Sequence, residues 1–587
     1  MRRLITATLL LLYAATCSIA ATFVVTKTSD SNDGVCDSDC SFREAVVAAN
    51  AAATDDVVEF DGMVFATPQT VLITLGEVVI ANNGTLTING TGASKLTFDG
   101  NGTSRIISTG ANVVATINDA KFTHGNGAGA LNTGRAGAIY NVGGTLTLNN
   151  LVVTGNTASN GGGLNNASSS SPSVPGTLTL NNCVVSNNTT TSSGGGMQNF
   201  STSTLTINNS TIMNNTSGGT TGGGGIQANG NVRITNSTFT GNNAPGGSGG
   251  ALVYNGVTLL VTNSTIVGNT STNNGGGIHK STSNLTGVIR NSMIANNNGT
   301  VGSEDVTGIF SSEGNNLIET VGTSSGWVGS DITGQDPILS PLGFYGGLGV
   351  TYVPLSGSPA LGAGQACVLD STCSANNPPI NVNVDQRGAA RPANPPASAG
   401  ANVDIGAVEA SPSYVASLPD ATFGVPYDFT LASGFTGFTF LLNSGDLGGI
   451  TLTSAATSAT LGGTPNQSGT RNAVVQVSDG THSTLVNYSV NVNAGATVIV
   501  RGVVVDSLGS PVKRARVTMT DGGMNTYSAT TNQLGRFFIE GIPNGSSLLV
   551  NTTSKGLNFP ASNVDATQPV NVITLTATNA NRTFKTR

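Results

Sequence analysis

Acid–base or metal-assisted chemistry needs carboxylates, imidazoles or thiols brought together, yet no Asp or Glu occurs between Asp119 and Glu304, across the most regular part of this chain. A glycosidase needs a facing pair of carboxyl groups. A calcium-dependent polysaccharide lyase needs acidic ligands for its ion as well as a basic residue. The acids bordering the gap, Asp99, Asp119, Glu304, Asp305 and Glu313, are those from which a hydrolase or lyase site could still be assembled, at an edge of the regular region. The bases near or inside the gap, Arg135, Arg233, His279, Lys280 and Arg290, do not fall in one row of the repeat described below and read as scattered solubilising charges. No residue is therefore assigned a catalytic role, the binding residues are unknown, and no cofactor or metal is called for.

The cysteines point to an oxidising compartment. Cys36 lies close to Cys40 and Cys367 close to Cys373, so each pair is expected to form a small disulfide loop. Metal binding, the rival reading, has no neighbouring His and no four-ligand set. Cys183 takes the place held elsewhere in the repeat by Ser210, Ser237, Ser264 and Ser292, a small packing residue and not a catalytic thiol. Export fits the N-terminus, where Arg2 and Arg3 precede an apolar run from Leu4 to Ala15 and Ser18-Ile19-Ala20 forms a small-x-small cleavage site. The mature chain is expected to start near Ala21; a lipid-modified Cys17 is the alternative, with Thr16 poorly suited before it. No later segment approaches the roughly 18 apolar residues of a membrane span. The protein is expected to be secreted or at the cell surface.

The elements that must position any site are set by a repeat. Asn150, Asn182, Asn209, Asn236, Asn263 and Asn291 mark its register, at spacings of 32, 27, 27, 27 and 28 residues. Three residues after each mark stands an apolar side chain (Val153, Val185, Ile212, Phe239, Ile266, Ile294), and six after it stands Asn156, Asn188, Asn215, Asn242, Asn269 or Asn297. Two before each mark the chain is again apolar, from Leu148 to Ile289. Apolar residues alternating with polar ones mean strands with one inward face, and a period near 27 is one coil of a solenoid. Stacked coils align like residues at the spacing of paired strands, about 4.8 Å. The Asn columns are expected to pass amide hydrogen bonds from coil to coil at turns whose left-handed backbone Asn tolerates. Glycine clusters such as Gly222–Ile226 and Gly249–Leu252 are expected to supply positive φ before a third strand, giving three strands per coil.

These coils resemble the pectin-lyase-like right-handed parallel β-helix superfamily, and Phe239-Thr-Gly-Asn242 with Gly249-Gly-Ala-Leu252 is similar to the short repeats of bacterial polymorphic surface proteins. Ahead of them, Cys36 to Asn50 resembles the Cys-Ser-Leu-Arg-Glu-Ala N-terminal domain of exported bacterial β-helix proteins, with Phe42 in place of Leu. There Ser41 and Glu44 form a capping box, and Ala45, Val46 and Ala49 an apolar stripe, for a helix that plugs the open end of the solenoid. After the coils, Gly357-Ser-Pro-Ala-Leu361, Asp385-Gln-Arg-Gly388, Arg391-Pro392 and Asp404-Ile-Gly-Ala407 resemble the choice-of-anchor module, whose Asp385, Arg387, Asp404 and Glu409 are expected to pair with one another and with turn amides. Residues 411–494 are similar to a bacterial Ig-like sandwich, and 495–587 to the carboxypeptidase regulatory-like domain, without its namesake's zinc ligands.

The expected organisation is all-β: a signal peptide over 1–20, an N-terminal cap over 21–65, a right-handed parallel β-helix over 66–320, a C-terminal cap over 321–410, and two small β-sandwiches over 411–494 and 495–587. A net charge of −7 gives no footprint for nucleic acid. With 79 glycines, 9 % charged residues and 5 % aromatics, the composition departs far from that of an ordinary globular enzyme. The function expected is that of a non-catalytic, adhesin-like surface protein whose repetitive polar face binds polysaccharide or another cell surface. The alternative is a polysaccharide lyase or hydrolase acting at the solenoid edge. A third reading, ice binding, rests on the Thr-x-Thr pairs at 145 and 147, 177 and 179, and 204 and 206, a row that Asn231 and Arg233 break after three coils.

Overall fold

The computed structural model describes residues 20–579, apart from 82, 172, 282–285, 301, 371, 374–380, 393–401, 496, 523, 545 and 567–569. The expected export signal, Arg2 to Ile19, lies outside the described residues. The described residues divide into two compact units, one formed by those up to 335 with Cys373, the other by those of 336–372 and those after 380.

The first unit is a β-solenoid of about nine turns, built from parallel sheets whose strands come from successive coils. One sheet of 11 strands runs from Thr22–Val25 to Ser311–Ser312, a second of 11 from Gln69–Leu72 to Ile332–Thr333, and a third of nine from Val78–Ile80 to Val306–Thr307. The middle coils carry a fourth strand where three were expected. Thr157–Asn160, Thr189–Ser193, Thr216–Ser217, Asn243–Ala244 and Thr270–Ser271 pair into a five-stranded sheet, because the chain stays extended and in register after each +6 Asn. The inward columns are those read from the sequence: Val153, Val185, Ile212, Phe239, Ile266 and Ile294 are all buried in one continuous core.

The two Asn columns divide the work. The marks, Asn150 through Asn291, sit at φ between 45° and 56° and make the left-handed turn. The +6 column is buried and forms the ladder, in which each Asn donates both its backbone N–H and its side-chain Nδ2 to the Oδ1 of the Asn one coil on, at 2.8 to 3.2 Å. The glycine clusters also divide. Gly161, Gly194, Gly223, Gly249 and Gly275 have positive φ, as expected, whereas the glycine that follows each one is required by proximity. A Cβ on Gly162, Gly195, Gly224 or Gly250 would lie 2.2 to 2.5 Å from the carbonyl oxygen of the matching glycine in the next coil.

At the N-terminal end, helix α1 (Phe42–Ala51) has the expected capping box, and its Phe42, Ala45, Val46 and Ala49 join the solenoid core. Arg43 pairs with Asp30, and Glu44 accepts hydrogen bonds from Ser31, Asp33 and Ser41, so both side chains serve the cap. A disulfide links Cys36 to Cys40.

In the second unit, two pairs of largely antiparallel sheets enclose separate cores. Residues 415–493 form one pair around Phe440, Leu461, Val475 and Tyr488, and residues 497–576 the other around Val500, Val517, Ile539 and Val550. Tyr345, Val353, Ala407 and Val408 pack into the first of these cores. Beside them Asp385 pairs with Arg387 and Glu409 with Arg391, while Asp404 accepts the N–H groups of Gly362 and Ala410. Cys367 of this unit is disulfide-bonded, as is Cys373.

Candidate functional site

Every acid from which an edge site could be built is engaged in holding the fold. Asp99 accepts the N–H of Asn101 and faces Nδ1 of His124 at 2.9 Å. Glu304 accepts the N–H of Gly302, and Glu313 pairs with Arg290. Asp119 and Asp305 stand at ladder ends, and the direction of each ladder explains their positions. The mark column donates backwards, Asn182 to Asn150 and Asn150 to Asp119, so its first member must accept without donating onward. The +6 column donates forwards and finishes on Asp305, which takes both donors of Asn297 at 3.0 and 2.9 Å. A third file, in which Ser210, Ser237, Ser264 and Ser292 each accept the N–H of the residue a coil before, passes through Asn316 to Asp331. An ionised carboxylate accepts and never donates, so it closes such a file without leaving an unpaired donor. Carboxylates therefore cluster at the two ends of the solenoid and are missing from its middle.

Burial pushes Asp305 up to about 6, against the pull of three N–H donors and with help from the nearby Glu319. The folded chain thus holds this proton more tightly than the unfolded chain, whose Asp titrates near 3.9. The contribution to stability is present in full below about pH 4 and is lost as pH rises to about 6, a swing on the order of 2–3 kcal/mol. The melting-temperature advantage of wild type over Asp305→Asn is expected to shrink between pH 4 and pH 7. A difference that stays flat across that range would contradict the assignment.

Two of these cations are not solubilising surface charges. Arg290 and Lys280 are buried in the wall, and Arg105, fully buried, holds Glu77 at 2.6 Å. Cys183 is buried, and desolvation pushes its thiol up to about 12, which leaves no thiolate for nucleophilic chemistry. Among the described residues no three His, Cys, Asp or Glu side chains gather as metal ligands, and no helix is long and apolar enough to cross a membrane.

The outer face of the first 11-stranded sheet is more regular than the sequence reading allowed. Thr87, Thr116, Thr147, Thr179 and Thr206 stack in register over five coils, so the row begins two coils before Thr145. Beside it Asn89, Asn118, Asn149, Asn181 and Asn208 form an outward ladder with amide bonds of 2.7 to 2.9 Å. The signal was present in Thr85-Leu-Thr-Ile-Asn89, identical to Thr204-Leu-Thr-Ile-Asn208, but the early coils have longer and less even spacings. Arg233 ends the Thr row at its far side, as expected.

No family model matches this chain, and no curated protein does. Among solved structures it is similar to an endo-fucoidan hydrolase from glycoside hydrolase family 107 at 16 % identity, over 28 % of each chain and with a TM-score of 0.14. It is also similar to the Bacillus anthracis TIE protein (12 % identity, 24 % of this chain and 34 % of that one, TM-score 0.15) and to BcpA, the major pilin subunit of Bacillus cereus (10 %, 28 % and 67 %, TM-score 0.14). The chain thus spans less than a third of the hydrolase, and at these scores the likenesses carry no argument about function.

Proposed function

We propose that this is an exported, non-catalytic surface protein whose solenoid presents the Thr and Asn rows of its first sheet to a hydroxyl-rich polymer, a polysaccharide or another cell surface. The observation that carries this reading is the five-coil register of Thr87 to Thr206 beside its Asn ladder. Hydroxyls and amides fixed in rank lose little conformational freedom on binding, so many weak hydrogen bonds can add up along a polymer. The disulfides accord with an oxidising compartment.

The test incubates the full mature chain with neutral and acidic polysaccharides, measuring retained protein alongside newly formed reducing or unsaturated ends. Retention without new ends is expected, and Thr147→Val with Thr179→Val, which remove the hydroxyls without adding charge, should lower it at least tenfold. New ends, or retention indifferent to that pair of substitutions, would sink this reading.

A further inference from the structure

A cleft of about 350 Å³ opens on the solenoid flank, on a different sheet from the Thr rows, where Tyr140, Ser168 and Phe200 belong to or adjoin successive strands of the nine-stranded sheet. Its volume lies in the range of small-ligand sites. The loop that forms one wall is held from below by the buried Arg105–Glu77 pair. Arg105 donates to the carbonyls of Asn132 and Arg135 at 3.1 and 2.9 Å, and Glu77 accepts the N–H of Ala130 at 2.6 Å. The guanidinium of Arg135 lies 4.1 Å over the ring of Phe200 and makes no ion pair among the described residues. Asn132 donates its Nδ2 to the Tyr140 hydroxyl at 2.9 Å, and the Ser168 and Thr202 hydroxyls meet at 2.7 Å.

We propose that this cleft binds an anionic sugar unit, one bearing a carboxylate or a sulfate, within a longer polysaccharide. A guanidinium offers paired N–H donors to either oxyanion. Stacking on Phe200 orients it and leaves those edge donors free. The hydroxyls of Tyr140, Ser168 and Thr202 and the Asn132 amide can exchange hydrogen bonds with the ring substituents. With a net charge of −7 the whole molecule repels an anionic polymer, and the Arg135 guanidinium opposes that repulsion locally. The proposal rests on the polysaccharide reading above for the kind of polymer, but on different residues.

Affinity electrophoresis of the full mature chain in gels containing polygalacturonate, dextran sulfate or unmodified dextran tests it, with Arg135→Gln and Phe200→Leu as variants and melting temperature as the check on folding. Retardation by one or both anionic polymers is expected, at least tenfold weaker in Arg135→Gln and weakened in Phe200→Leu. Response to only the carboxylated or only the sulfated polymer would identify the anion. Equal retardation of Arg135→Gln and wild type by the anionic polymers overturns the proposal, as does wild-type preference for dextran, and both leave the Thr rows intact as a binding face. Arg135-dependent retardation with no loss from the Thr147→Val and Thr179→Val pair supports the cleft while overturning the face. Absence of retardation by both anionic polymers overturns it too.

Discussion

Ile266→Asp abolishes the cooperative unfolding transition of the solenoid. Ile266 is fully buried and stacked directly between Phe239 and Ile294 of the adjoining coils. Truncating a buried Ile costs about 2–5 kcal/mol through lost burial and the cavity left behind. A carboxylate placed in this apolar column lies between Phe239 and Ile294, and an unpaired buried charge adds several kcal/mol more. The sum is comparable with the whole stability of an ordinary domain, about 5–15 kcal/mol. In a solenoid each coil is stabilised chiefly by its neighbours, so the defect removes two interfaces at once. Circular dichroism during heating is expected to show a sharp transition for wild type and Ile266→Val, the latter lowered by about 1 kcal/mol, and a broad or absent one for Ile266→Asp. Melting of the Asp variant at the wild-type temperature would mean that residue 266 does not face the core.

What the sequence disclosed was whatever depends on period alone. Residues at +3 and −2 from the mark must face inward in every coil, so the core from Val153 to Ile294 could be read directly. Roles that depend on direction were hidden. Nothing in the letters says that the +6 ladder donates forwards and the mark column backwards, and without that fact Asp119 and Asp305 look like free acids at an edge instead of ladder ends. Contacts made across coils were hidden for a different reason. Arg135 and Phe200 are 65 residues apart, and their meeting depends on loops between strands whose lengths follow no period. The fourth strand escaped notice because its residues, Thr189-Thr-Thr-Ser-Ser193 for example, are polar and give no apolar alternation.

Gly250→Ala is expected to destabilise the solenoid by about 3 kcal/mol, at the upper end of overpacking costs. The added methyl would lie 2.3 Å from the carbonyl oxygen of Gly276 and 2.6 Å from the backbone of Thr270. All three obstacles are main chain in the next coil, held by the Gly250 N–H to Gly275 O and Thr270 N–H to Asn242 O bonds at 3.2 and 2.8 Å. No rotamer change can relieve such a contact, so the coils must separate and weaken the bonds that join them. The backbone at Gly250 is not left-handed, and conformational freedom alone would therefore predict a neutral or slightly stabilising change. The neighbouring position separates the two explanations, because Ala251 already stands where other coils have Gly196, Gly225 and Gly277. Ala251→Gly is expected to cost only about 1 kcal/mol, the usual entropy penalty of glycine, and Gly246→Ala, whose nearest neighbour would be 3.3 Å away, less than Gly250→Ala. Denaturant midpoints for the three variants would settle the order. A Gly250→Ala protein as stable as wild type would show that coils can be spaced more widely here than the roughly 4.8 Å of paired strands, and the glycine column would then owe its existence to something other than packing.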